Sequence, residues 1–223
     1  MNLPIASLNG LATGLFLLSA FGSLATRQIQ GCVRFFRLQS FALAASIFLL
    51  AMGTHVSDLV VVAVVDLALK PLLIPWLLKR YVRGELFRHR EIEQLLNIPS
   101  SLLIGLFLTL TAYLSAPLLP LPSAAMGQIN LPIGLAGLLV GVYTLAVRVE
   151  ALPQLIGLFG VENAALLIGV AVAPNLPVVA DMAFAFDMVV IAVVIGILTR
   201  ITHERVGSTE IGAMRALKEV GIE

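Results

Sequence analysis

The chain has 223 residues, of which 59% are hydrophobic and only 12% charged, and its mean hydropathy is +1.02. Soluble domains carry about 25% charged residues, so a soluble globular protein is excluded and an integral membrane protein indicated. The formal net charge is +1, and the single cysteine, Cys32, excludes an internal disulfide and any cysteine-based metal or iron–sulfur centre.

A membrane-spanning helix needs about 20 apolar residues. Seven segments qualify in chain order: 4–24, 35–53, 58–78, 99–119, 130–149, 153–173 and 177–200. The first, opening MNLPIAS, lacks a basic stretch ahead of its apolar run and is read as an uncleaved helix. Breakers separate later runs at Gly53-Thr54-His55, at Pro117 to Pro122 and at Pro174-Asn175-Leu176-Pro177. The expected fold is therefore all-α and polytopic.

The basic residues orient these spans. Arg27, Arg34 and Arg37 follow the first span; Lys79, Arg80, Arg83, Arg88 and Arg90 follow the third. Arg148 ends the fifth, and Arg200, Arg205, Arg215 and Lys218 follow the seventh. The alternate loops hold no Lys or Arg, and Lys70 alone lies within a span. By the positive-inside rule the N-terminus is outside and the C-terminus cytoplasmic.

Four regions follow: a three-helix unit over 1–98, a connecting fourth helix with its outer loop over 99–129, a second three-helix unit over 130–205, and a cytoplasmic tail over 206–223. Two cytoplasmic stretches are amphipathic. ELFRHREIEQLL (85–96) gathers Ile92, Leu95 and Leu96, and STEIGAMRALKEVG offers Ser208 as cap, a stripe of Ile211, Met214 and Leu217, and Gly221 as stop. Each reads either as an interfacial helix on lipid headgroups or as a docking helix for a cytoplasmic partner.

The two units resemble one another. FRLQSFALAASIFLLA (36–51) lies over FGVENAALLIGVAVA (159–173), with Gln39 over Glu162. VVDLALKPLLIPWLLKR (64–80) lies over AFDMVVIAVVIGILTR (185–200), with Asp66 over Asp187. An offset of four helices makes this a parallel repeat.

Ionisable groups inside a bilayer mark functional candidates. Asp66, Lys70, Glu162 and Asp187 sit at similar depth on helices rising 1.5 Å per residue, so neighbouring helices would gather them into one polar layer. Asp66 and Lys70 are four residues apart in the favourable order; they read as a structural ion pair or as part of a proton relay. Pro71 and Pro75 remove two backbone donors from the same helix, freeing the carbonyls of Leu67 and Pro71, which need water or polar neighbours. Glu162 has only apolar neighbours at helical spacing, and Asn163 points about 100° away. A partner must come from another helix or from water, and small residues on the last helix let Asp187 approach. Asp58 and Asp181 fall at outer helix ends, suited to interface placement, with Asp181 also a candidate exit. His55, His89 and His203 show no metal-ligand spacing. There is no nucleophile triad, phosphate loop or nucleic-acid patch.

The stretch GLFGVENAALLIGVAVAPNLPVVADMAFAFDMVVIAVVIGILTRITHE resembles the K-type subunit of NADH-quinone oxidoreductase and the C-type subunit of multisubunit sodium/proton antiporters. These carry one membrane carboxylate in a second helix and another in a third, positions held here by Glu162 and Asp187. That resemblance covers about residues 131–205. The whole chain resembles component E of hydrogenase-4 and formate hydrogenlyase complexes. It implies a subunit without a cofactor of its own, set among antiporter-like membrane subunits and joined to a cytoplasmic arm bearing [NiFe] and iron–sulfur centres. Glu162, Asp187, Asp66 and Lys70 would carry protons, with Gln39, Asn163 and Asp181 as accessories. Asp187 stands where Glu is usual, one methylene shorter, and Gln39 cannot ionise.

Overall fold

The computed structural model describes residues 3–54, 57–76, 95–119 and 125–173, and these form helices without a strand. In chain order they are α1 (Leu3–Ala25), α2 (Ile29–Thr54), α3 (Ser57–Ala68), α4 (Ile98–Ser115), α5 (Ala125–Val147) and α6 (Ala151–Val172). A π-helical turn, Leu69–Leu73, prolongs α3, and a 3-10 turn, Ala116–Leu118, prolongs α4. Six helices among the described residues are long and apolar enough to cross a membrane. They match the first six expected spans within about two residues, except that α2 and α5 start six and five residues earlier. The seventh span, with Asp181 and Asp187, the tail over 206–223 and most of the stretch over 85–96 lie outside the described residues.

The early start of α2 has a physical reason. Arg34 and Arg37 mark the start of the second apolar run in sequence, yet α2 begins at Ile29 and takes both inside. Arg34 stays exposed and Arg37 half-buried, and the Arg37 guanidinium donates from Nε to the Pro71 carbonyl at 3.0 Å. A long basic side chain with an acceptor in reach does not end a helix.

Short links at Thr26–Gln28 and Arg148–Glu150 fold α1 onto α2 and α5 onto α6 as antiparallel hairpins. Glycines permit the closest approach, between α5 and α6. A Cβ on Gly141 would lie 3.1 Å from the Val161 nitrogen, and one on Gly157 would lie 3.1 Å from that of Leu145. Backbone therefore meets backbone, as small residues allow between apolar helices. The hairpins then stack, α1 on α5 and α2 on α6. Asn9 meets Asn130, 121 residues on, Phe16 lies on Gly137, Phe36 packs on Phe159 with ring centroids 5.5 Å apart, and Ser40 meets Asn163, 123 residues on.

Polar groups tie the bundle together. Asn9, Ser46 and Asn130, all buried, close a ring: Asn9 Nδ2 donates to Asn130 Oδ1 at 2.7 Å, Ser46 Oγ donates to Asn9 Oδ1 at 2.7 Å, and Asn130 Nδ2 donates to Ser46 Oγ at 3.4 Å. At the opposite, basic end, Arg148 donates to the carbonyls of Ser23, Leu24 and Thr26. It thereby closes the C-terminus of α1, where a helix leaves carbonyls without internal donors. Burial pushes the Arg148 guanidinium pKa down from its usual value. The amide of Leu95 likewise reaches the Val147 carbonyl at the end of α5.

The glycine contacts generate a paired expectation. Gly141→Ala sets a methyl against backbone that cannot rotate away and should destabilise by about 1–3 kcal/mol, the usual cost of overpacking. A Cβ on Gly10 meets nothing within 4 Å, so Gly10→Ala should be neutral or stabilising by up to about 1 kcal/mol. Thermal unfolding of the two variants in detergent checks the contrast.

Candidate functional site

Pro71 and Pro75 decide the local structure of the site. Neither has an N–H, so regular i→i−4 bonding fails twice within five residues. The chain answers with the π-turn, in which the Ile74 amide bonds the Leu69 carbonyl five residues back. The Pro71 carbonyl, deprived of a donor by Pro75, receives Arg37 instead. The polar neighbour expected for a freed carbonyl is thus a cation from α2. The extra residue in the π-turn redirects the side chains around Lys70, and such turns recur at functional sites.

Lys70 is 2% exposed and Asp66 3%. Their ion pair is short, 2.6 Å from Lys70 Nζ to Asp66 Oδ1. The ammonium also faces Glu162 Oε1 on α6 at 3.8 Å. Glu162 is less enclosed, its side chain 23% exposed. Three of the four predicted intramembrane charges therefore meet in one cluster, drawn from α3 with its π-turn and from α6. Helix α2 packs against both of these elements, and the long Lys70 side chain completes the link. One partner of Glu162 is thus a cation from the π-turn; the expected approach of Asp187 lies outside the described residues.

Asn163 turns away from Glu162, as the helical angle requires, and is fully buried. Its Nδ2 donates to Ser40 Oγ at 3.0 Å, joining α6 to α2. The buried acceptors Asp66 Oδ2 and Asn163 Oδ1 have no hydrogen-bond partner among the described residues. Gln39, 3% exposed, lies beside Gly160 on α6. Asp58 is exposed in the first turn of α3, where its charge suits the helix dipole. No group of three potential metal ligands occurs among the described residues.

Sequence reasoning missed Arg37, Ser40 and the ring of Asn9, Ser46 and Asn130. The available signal was a polar residue in the middle of each apolar run; what the runs do not reveal is which of them face one another.

Chemically, the cluster is one ammonium shared unequally by two carboxylates in a low dielectric. Removing one member of a buried ion pair leaves an uncompensated charge, at a cost of about 3–5 kcal/mol. Lys70→Met should therefore destabilise by about that much. Pairing it with Asp66→Leu should recover most of the loss, because the short pair then vanishes as a unit. Thermal unfolding of the two single variants and the double variant measures the coupling.

The chain is 29% identical over 195 residues to an uncharacterized protein of Mycobacterium tuberculosis, Rv0085, a match covering 86% of this chain and 88% of that protein. No family model matches the chain, and no solved structure does.

Proposed function

We propose that this chain is an integral membrane subunit of a complex I-like, hydrogenase-4-type assembly, and that its intramembrane charges take part in redox-driven proton translocation. The observation that carries the reading is Lys70 set between Asp66 and Glu162, at 2.6 and 3.8 Å. Structural ion pairs need one partner for each charge. Here one ammonium lies within reach of two carboxylates on different elements, so it can shift its contact from one to the other as a proton comes and goes.

The unequal distances favour Glu162 as the group that exchanges the proton. Asp66 is held short and enclosed, whereas Glu162 is farther away and partly exposed, so Glu162 is the group that takes up and releases it. When Glu162 is protonated, Lys70 settles on Asp66. When Glu162 is ionised, the ammonium is drawn toward it and Asp66 is loosened. Each proton exchange thereby moves a charge across the gap between α3 and α6. Asp187 extends the line beyond the described residues, with Gln39, Asn163 and Asp181 as accessories. Electron chemistry belongs to the [NiFe] and iron–sulfur arm of the assembly, with antiporter-like subunits as membrane neighbours. Seven spans, an outside N-terminus and a cytoplasmic C-terminus complete the arrangement. The near-constant separation of 121 to 123 residues between meeting positions supports the parallel repeat.

A second reading keeps the same cluster but places the chain in a cation/proton antiporter without redox coupling; a third makes it a scaffold that conducts nothing. Copurification with a subunit containing nickel and iron–sulfur separates the first from the second. Glu162→Gln separates both from the third, because Gln preserves shape and hydrogen bonding but cannot ionise. In the reconstituted complex it should slow proton uptake by about 10²-fold, the scale of a lost acid–base group. Uptake at the parental rate would remove Glu162 from the path.

A further inference from the structure

A second polar feature lies apart from the ion cluster, where α1, α2, α5 and α6 meet. A partly open cavity with about 10 Å³ of room is lined there by Ser23, Gln39 and Thr144, with Gly141, Gly157 and Gly160 among its walls. Gln39 is 97% buried as a residue; its amide makes no hydrogen bond with the described residues but is not sealed off, and it borders the open space beside it. In an apolar bundle an amide left without a partner or water costs several kcal/mol. The amide is not walled in: a Cβ added to Gly160 would lie 3.5 Å from Gln39 Oε1 and 4.0 Å from Nε2. The Thr144 hydroxyl donates to the Val140 carbonyl at 2.7 Å and keeps its lone pairs for an incoming donor. Ser23 stands at the basic end of α1, its carbonyl held by Arg148; its hydroxyl hydrogen-bonds the Cys32 sulfur and keeps its lone pairs as acceptors.

We propose that this cavity is an internal water site, held by the Gln39 amide, the Ser23 hydroxyl and the Thr144 hydroxyl. The match is in size and in chemistry. A single water needs about 10–15 Å³ by this measure and two to four polar partners, and the three side chains supply a donor and three acceptors. The glycines make the room: any side chain at Gly160 would enter the cavity beside the amide. The site lies between the basic end of the bundle and the level of Ser40 and Asn163. On the proton-relay reading, on which this second role rests, the water hydrates the approach to Glu162 from the basic side.

Two measurements on the full chain decide it. A high-resolution density map should show a peak within hydrogen-bond distance of Gln39, Ser23 Oγ and Thr144 Oγ1. Gly160→Ala should lower the melting temperature in detergent by roughly 2–4 °C, because the methyl expels the water and strands the amide. In a Gln39→Leu background the same Gly160→Ala change should be neutral or raise it, since no amide is left to strand. A cavity without the peak, or the same sign of shift in both backgrounds, overturns the water site. Neither readout involves transport, so both stand if Glu162→Gln pumps normally and the relay reading fails. If the site holds, Gly160→Ala slowing proton uptake supports the approach role, and an unchanged rate confines the water to structure.

Discussion

One ammonium in an apolar interior sets the terms for much of this bundle. A lysine at the centre of a spanning helix costs about 3 kcal/mol even on lenient insertion scales, so Lys70 requires a counter-charge at close range. Asp66 supplies it from the same helix face. That alone would have left a sealed, inert pair. The π-turn and its prolines instead present Lys70 where Glu162 of α6 faces it, and α2 packs against both elements to keep their separation. The position of α2 is in turn fixed by Arg37 on the Pro71 carbonyl and by Ser40 on Asn163. The backbone defect, the cation and the two carboxylates thus form one mechanical unit.

The same rule governs the rest of the core. Between apolar helices there is little hydrophobic gain to distinguish one packing from another, so contact surface and hydrogen bonds choose the partners. Glycines let α5 and α6 touch along their backbones. The ring of Asn9, Ser46 and Asn130 pins α1, α2 and α5 at one end, and Arg148 pins α1 to the end of α5 at the other. The ring joins one hairpin to the other, and so does Arg148. Polar contacts therefore fix how the hairpins stack, and glycine contacts fix how the α5–α6 hairpin closes.

How much of this was legible in the sequence follows from the range of each interaction. The spans of α1, α3, α4 and α6 were readable to within about two residues, because bilayer thickness fixes their length and any run of about 20 apolar residues satisfies it. The Asp66–Lys70 pair was readable because its spacing is local. The depth match between Lys70 and Glu162 was readable too, from rise per residue. Their actual meeting was not, since it depends on α2 lying against both elements. The start of α2 was misjudged for a related reason: Arg37 resembles a boundary until its acceptor, 34 residues away, is known. Gln39 was legible only as a polar residue in an apolar run, whereas the cavity before it arises from glycines on two other helices.

The two basic residues nearest the site divide the labour according to their chemistry. Arg37 carries a planar, delocalised cation whose donors are fixed in direction, and it holds a backbone carbonyl, a partner that never changes charge. Lys70 carries a compact charge on a flexible stem with donors that rotate freely. It faces two partners whose charge can change, at distances that differ by more than 1 Å. An arginine at position 70 would form a two-pronged bridge with one carboxylate and stay there. A lysine at position 37 would lose the directed Nε donor that steadies the turn. The division between a cation that holds the backbone and one that reaches two carboxylates thus follows from the shapes of the two side chains and the places the π-turn gives them.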